Sequence, residues 1–441
     1  MPVAKTIVFT PASSVLAHVG RCVLVAKELQ QRRHKIVFAG LPKYLDDRLV
    51  AGGSFEYYPL PDFEADEGLQ ILRRLSRIPS RQVLERHLAA ELQMLDDLKP
   101  DLVVSDFRLT ILISAAVKRV PTVSLLGGRW IFPYIAKPYR AFRTAPFYTQ
   151  LRTLFGERAT DRLVPLLLRL VLRYKVRPYA GLFKKHGLEP KRVLWDLIIG
   201  DLNLILDTER LAPTRTLPEN FRRVGPIYWT LGQPLPDWVR ELGHDQPLIY
   251  VTMGSTGDPA LFAQLIALLG DQNCQVVLTT GGQIDLSLHD VPPNVHVAKY
   301  LPGEKVMAMA DLVICHGGAG TVYQAIETGT PCIVITTHFE QEFLGAEIEE
   351  QGAGLFFSLH EVMARPRLVR DAIVKVLAES ESFRGRMADL QQDLMSYNGK
   401  VAAADCIEQF LNTLDNSSTY LSAPSSGDWR TVEDCASFVH E

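Results

Sequence analysis

Twice along this chain, short apolar runs alternate with longer amphipathic ones, and a backbone patterned in this way has few means of burying itself. TIVF at 6–9 is followed by VGRCVLVAKELQQR and then KIVFAG; farther on, DLVVSD at 101–106 precedes ILISAAVKR and PTVSLLGG. The short runs suit strands buried on both faces, and the amphipathic stretches suit helices laid against them. The order is that of a parallel sheet covered on both sides. The pattern restarts at PLIYVTMGS (247–255) and continues through LFAQLIALL, QVVLTTGG, HVAKYLP, DLVICHGG and TVYQAIETG to PCIVIT. A length of 441 residues exceeds what one core usually serves and agrees with two such units.

Between the units, GPIYWTLGQPLPDWVRELGHDQP (225–247) is rich in proline and glycine and carries neither period, the signature of a linker. The expected division is an N-terminal domain over 1–225, a linker over 226–246 and a C-terminal domain over 247–415. Residues 416–441, polar and proline-interrupted through NSSTYLSAPSSGDW, are expected to form a mobile tail. The chain enters TIVFTP with no basic, apolar and small-residue leader, so no cleaved segment is expected. LVPLLLRLVL (163–172) is broken by Arg169 and is about half the length a spanning helix needs, so no transmembrane segment is expected. A net charge of -3 exerts no global pull toward nucleic acid. The six cysteines lie far apart without CxxC spacing, which suits reduced packing residues of a cytoplasmic protein and neither a disulfide framework nor a zinc site.

One segment departs from the average. From Lys137 to Arg192 there are fourteen Lys or Arg against three acids, interleaved with Leu, Val, Phe and Tyr. A solvated helical face is one reading; an amphipathic surface that meets anionic lipid is the other.

DLVICHGGAGTVYQAIETG (311–329) combines a buried strand, a glycine turn and a helix start. The free backbone N–H groups and positive dipole end of such a helix face the turn, so an anion is the expected guest. His316 stands at the carboxyl end of the strand, where ligands of open parallel sheets bind, and can add a donor. A plain glycine-rich strand-to-helix turn would read the same way in isolation.

HGGAGT, then GTPCIVIT, then FEQ at this spacing resembles the donor signature of the family 1 glycosyltransferases, in particular the macrolide-type branch with HxGxGT and (D/E)Q elements. FRRVGPIYW, LIYVTMGS and YLPGEKVMAMADLVICH resemble further segments of that family. The resemblance implies a GT-B fold: α/β, two Rossmann-like parallel-sheet domains facing each other across a cleft, with the nucleotide-sugar on the second and the acceptor on the first. By resemblance, His316, Gly318, Gly320 and Thr321 match the diphosphate contacts, and Ser255 matches a donor-side loop residue. Tyr300 falls where the family stacks a ring on the base. Glu340 and Gln341 match the pair that hydrogen-bonds the sugar hydroxyls. Gln324 stands where relatives carry a glutamate on the ribose, and Gly303 replaces a glutamine.

In the N-terminal half, FTPASSVLAHVGRCVLVAKEL resembles the family's first loop and helix, and His18 falls on its catalytic histidine, although the usual GHxxP is here AHVGR. A histidine at a helix start can be structural; as a base it would take the proton of an attacking hydroxyl. Asp106, closing DLVVSD, is the candidate that orients the imidazole, with a helix N-cap as its other reading and Asp101 as its rival. Trp130 and Phe132 in RWIFPY are candidates for the acceptor wall, or for core packing. No DxD triplet or ligand-spaced His/Cys/Asp/Glu cluster occurs, so neither a metal nor a cofactor is expected, the nucleotide-sugar being a substrate. The leading expectation is an inverting transfer of a hexose from a UDP- or dTDP-sugar to a small, largely apolar hydroxylated acceptor. The alternatives are a lipid acceptor met by peripheral membrane contact through 137–192, a nucleotide-sugar-binding partner protein without activity, and a nucleotide-sugar 2-epimerase.

Overall fold

The computed structural model describes residues 4–41, 55–63, 78–136, 143, 147–242, 245–254, 258–270, 272–282 and 291–416. Its first sheet contains β1 (Thr6–Pro11), β2 (Lys35–Gly40), β3 (Glu56–Pro59), β4 (Leu102–Asp106), β5 (Thr122–Leu126), β6 (Leu202–Ile205) and β7 (Phe221–Arg223), in the spatial order 3-2-1-4-5-6-7. The second contains β8 (Leu248–Thr252), β9 (Gln275–Thr279), β10 (Val295–Ala298), β11 (Leu312–Cys315), β12 (Cys332–Thr336) and β13 (Gly354–Ser358), in the order 10-9-8-11-12-13. Every pairing in both sheets is parallel. Because each strand is covered on both faces, LVV in β4 and LVIC in β11 are buried throughout.

In both sheets the chain starts at the centre, winds outward one way, then returns and winds the other way. The point where the winding reverses leaves a crevice beyond the carboxyl ends of two neighbouring strands, and ligands of such sheets bind there. In the first sheet that crevice lies between β1 and β4; in the second, between β8 and β11. Helix α1 (Leu16–Gln31) follows β1, and α2 (Arg81–Leu98) lies between β3 and β4. The basic segment supplies α3 (Glu157–Lys175). In the second unit, α4 (Ala319–Glu327) follows β11 and α5 (Phe339–Glu350) follows β12. Among the described residues no helix is long and apolar enough to cross a membrane. Five cysteines are free thiols, four of them buried; Cys435 lies outside the described residues, as does the predicted tail from 417 onward.

The expected boundary at 415 is corrected by the last helix, α6 (Gly399–Asn416). Its Ala403, Ala404, Ile407 and Leu411 are buried with Val19, Cys22 and Val23 of α1 in the core of the first sheet. Ion pairs of Arg32 with Asp405 and Glu408, and of Lys400 with Glu28, border that contact. The helix therefore belongs physically to the N-terminal unit: its apolar stripe finds a matching stripe there. The linker is also less featureless than its composition suggests, because Asp237–Arg240 form a helical turn whose Val239 is buried in the second core. The chain thus crosses between the units twice, near Gly225 and near Tyr397, and the crossings touch: a Cβ added at Gly225 would collide with Tyr397, and one at Gly399 with the Pro226 carbonyl.

Candidate active site

The first crevice holds the proposed acid–base pair. Asp106 ends β4 and is fully buried, paired in register with Pro11 at the end of β1. His18 lies in the first turn of α1, and its Nδ1 is 2.6 Å from Asp106 Oδ1. The sheet thus joins two residues eighty-eight positions apart in sequence. Asp101, the rival, sits at the opposite end of β4, where it accepts the Thr6 N–H at 2.8 Å. Phe107, next in the chain, takes a left-handed backbone with φ 63°, a conformation that non-glycine residues adopt mainly where the surroundings enforce it. Its ring lies 5.7 Å from the His18 ring and 4.5 Å from the Trp130 ring, between centroids. The imidazole therefore has a carboxylate behind it and an aromatic wall beside it.

The second crevice is shaped for an anion. Gly318 precedes α4 with no side-chain cap, so the first N–H groups of that helix lack intrahelical acceptors. His316 is buried, and the backbone is stripped back on both sides of its ring. A Cβ at Gly254 would lie 2.7 Å from His316 Cε1, and one at Gly318 would lie 2.5 Å from Nε2. Burial, and then the neighbouring His338, push the imidazole down to about 4, so it is neutral near pH 7 and acts by hydrogen bonding. Its Nδ1 is buried with no partner among the described residues. A buried ring nitrogen without a partner carries a desolvation cost that a ligand can relieve.

The two crevices meet at Glu340, in the first turn of α5. Trp130 Nε1 donates to Glu340 Oε1 at 3.3 Å, Arg129 Nε lies 3.7 Å from the same oxygen, and His338 Nε2 lies 3.9 Å from Oε2. Burial favours the protonated acid, yet nearby His338 and the Arg129 guanidinium hold the Glu340 carboxyl far below the usual range. An ionised acceptor is thereby fixed against Trp130 and Arg129 of the other unit. Arg129 and His338 were not singled out from the sequence; the signal for Arg129 was its place directly after the Gly-Gly that follows β5.

Other predicted residues are placed less directly. Gln341 uses its Oε1 to accept from the Thr337 N–H at 2.7 Å and the Thr337 hydroxyl at 3.1 Å. It holds the turn before α5, so the carbonyl half of the expected sugar contact is already engaged. Gln324 donates to the Trp229 carbonyl at 2.8 Å. One of its two amide N–H groups is engaged by the linker, and its Oε1 faces Gly303, whose Cβ would lie 3.2 Å away. Gly320 and Thr321 lie in the first turn of α4. Tyr300 is 48 % exposed and anchored through its hydroxyl to the Gly281 carbonyl at 3.0 Å, which leaves ring surface open to stacking. Trp130 is buried against Phe339, and Phe132 packs on Trp195 and Phe343; both span the gap between units as packing residues. Ser255 lies outside the described residues. Among the described residues no group of three His, Cys, Asp or Glu side chains is placed to hold a metal ion.

Residues 263–407 match the family described as "Erythromycin biosynthesis protein CIII-like, C-terminal domain". The chain is 30 % identical over 392 residues to a PGL/p-HBAD biosynthesis glycosyltransferase of Mycobacterium tuberculosis (strain H37Ra), covering 86 % of this chain and 87 % of that one. A PGL/p-HBAD biosynthesis rhamnosyltransferase of Mycobacterium bovis (strain BCG / Pasteur 1173P2) is also 30 % identical, over 87 % of this chain and 84 % of its own length. Among solved structures, a spinosyn rhamnosyltransferase complexed with thymidine diphosphate superposes with a TM-score of 0.65 at 18 % identity, over 91 % of this chain and 100 % of that one.

Proposed function

We propose, for a chain that belongs to the family 1 glycosyltransferases of GT-B fold, that it moves a hexose from a dTDP- or UDP-sugar to a hydroxyl of a largely apolar acceptor by one inverting displacement. The observation that carries this reading is the His18–Asp106 pair of one unit, linked to Glu340 of the other through the Phe107 and Trp130 rings. The acceptor oxygen attacks the anomeric carbon while His18 takes its proton, and Asp106 holds the ring through Nδ1. The bond from that carbon to the diphosphate oxygen breaks on the opposite face. The charge gathering on the departing diphosphate is met by the N–H groups that open α4 and by neutral His316, so the reaction needs no metal and persists in EDTA. Glu340 accepts hydrogen bonds from the sugar hydroxyls, and Tyr300 stacks on the base. The Phe107 ring beside His18 supports an apolar acceptor. The closed His18–Asp106 contact favours a transferase over a non-catalytic binder.

Two measurements test this. A nucleotide diphosphate at a hundred times its Kd adds about 2.7 kcal/mol to the folded state, so dTDP or UDP is expected to raise the melting temperature by several degrees while sulfate at the same concentration does not. In the product, NMR is expected to show the anomeric configuration opposite to that of the donor. A retained configuration would rule out the single displacement.

A second reading, that the acceptor is a lipid reached at a membrane surface, is supported by one feature of α3. Arg158, Arg162, Leu166, Leu170 and Tyr174 recur every fourth residue, and all five are exposed, Leu166 by 61 % and Leu170 by 60 %. Leu154 and Phe155 just before the helix are exposed too, by 73 % and 59 %. Apolar side chains flanked by arginine suit an anionic bilayer, where burying a leucine gives about 1.5–3 kcal/mol and each cation about 1 kcal/mol. Co-sedimentation with phosphatidylglycerol vesicles is expected to be salt-sensitive and to weaken at least about tenfold in L166E/L170E. Equal sedimentation of the two proteins would exclude α3 as the contact.

A further inference from the structure

Where the family motif carries a proline, this chain has Arg21, and the structure gives that arginine a place. Arg21 lies one turn after His18 on α1, its side chain 13 % exposed, with Nε bonded to Asp106 Oδ2 and Nη2 2.6 Å from Asp106 Oδ1. The pair is bidentate, the strongest geometry available to a carboxylate. Nη2 is also 2.8 Å from His18 Nδ1. Three atoms, one from each side chain, therefore form a closed triangle.

That triangle restricts what each group can be. Oδ1 can accept from both neighbours, and Nη2 can only donate. Of the two contacts of His18 Nδ1, the shorter is to the charged acceptor, so Nδ1 carries the proton and Nε2 keeps its lone pair, and the approach of Nη2 to Nδ1 is then a contact of two donors and not a hydrogen bond. Burial raises the Asp106 carboxyl while Arg21, and after it His18, lower it, and the outcome is below the usual carboxylate range. The remaining groups around the imidazole are Cys22 on α1, whose Sγ is 4.0 Å from Asp106 Oδ2, the Phe107 ring after β4, and Glu340 on α5 with its partners Arg129 and His338.

We propose that Arg21 is a positioning residue of the transfer reaction: it fixes both oxygens of Asp106 so that the carboxylate meets His18 in one orientation, and it sets a cation 2.8 Å from His18 Nδ1, opposed to the carboxylate's charge. The proposal rests on His18 acting as the base. A carboxylate alone beside an imidazole favours the imidazolium, which cannot accept a proton, and a cation beside it opposes that.

The test is the pH profile of kcat/KM in purified full-length enzyme. In R21M the acidic limb is expected to move up by about one pH unit or more, so the loss is larger at pH 6 than at pH 9. R21K, which keeps a cation without the bidentate grip, is expected to leave the limb near its wild-type position and lower the plateau. R21M strands a buried carboxylate and is exposed to misfolding, so a second comparison uses D106N and R21M/D106N. The double variant removes both charges, and its limb is expected about one pH unit above that of D106N, which alone keeps the guanidinium on the imidazole. Coincident limbs in that comparison, or a uniform loss across pH in R21M, would reduce Arg21 to a structural ion pair. Unchanged transfer in His18→Gln would remove the premise instead, so the two failures are distinguishable.

Discussion

His18→Gln is expected to lower kcat for glycosyl transfer by about 10²- to 10⁴-fold, with the affinity for nucleotide diphosphate within a factor of about two of wild type. Glutamine fills much of the imidazole's volume and can still donate to Asp106, so the first turn of α1 and the buried carboxylate keep a partner. What disappears is a group that can take up a proton between pH 6 and 8. The proposed donor site lies in the other unit, around His316 and the start of α4, and nothing in it depends on proton transfer. The expected pattern is therefore a collapse of kcat with little movement of the donor's Kd, measured by rapid quench and by calorimetry with dTDP or UDP. A variant that transfers at the wild-type rate would refute the assignment of the base. A variant that loses nucleotide binding in parallel would indicate that His18 supports the cleft.

Gly318→Ala is expected to weaken nucleotide diphosphate binding by tenfold or more while leaving the melting temperature of the unliganded protein within a few degrees of wild type. The backbone of Gly318 is unexceptional at φ -64°, ψ 136°, so alanine brings no conformational strain of its own. Its methyl group, however, would lie 2.5 Å from His316 Nε2 and 2.8 Å from Cε1, so the ring must shift. Overpacking of this kind costs about 1–3 kcal/mol, and a displaced His316 no longer presents its ring nitrogen to the proposed diphosphate site. Binding then loses a donor, which titration calorimetry reads directly. Unaltered affinity in G318A would place the diphosphate elsewhere.

Much of this could be read from residue order because strands buried on both faces leave unbroken apolar runs. TIVF, KIVF, LVV, LIYV and LVIC announce β1, β2, β4, β8 and β11, and the two central crevices follow from which of them the chain visits first. β3 and β6 were harder. EYYP is half exposed at the sheet edge, and LNLI follows a long run of helices with a polar asparagine in its middle. The last helix was assigned to the wrong unit because an amphipathic stripe declares that it will be buried but not against what. His18, Asp106, His316 and Glu340 were marked out as candidates by motif and spacing. Arg129 was not, since its significance lies in facing Glu340 from the other unit, a relation that sequence separation hides; nor was His338, which stands two residues before Glu340 but belongs to no motif that marks it. Arg21 was visible only as a departure from AHVGR's expected form. Gln341 and Gln324 had the right chemistry, yet part of each is consumed by a local hydrogen bond that no pattern foretells.

The touching of the two chain crossings, at Gly225–Pro226 and at Tyr397–Gly399, has a mechanical consequence. Two lobes joined by a pair of distant tethers can shear, but two lobes joined at adjacent points can only swing, like a book on a short spine. The spine is packed tight, so the freedom that remains is a change in how far the pages stand apart. A swing about that spine changes the distance between Glu340 and the Trp130 and Arg129 side chains that it touches.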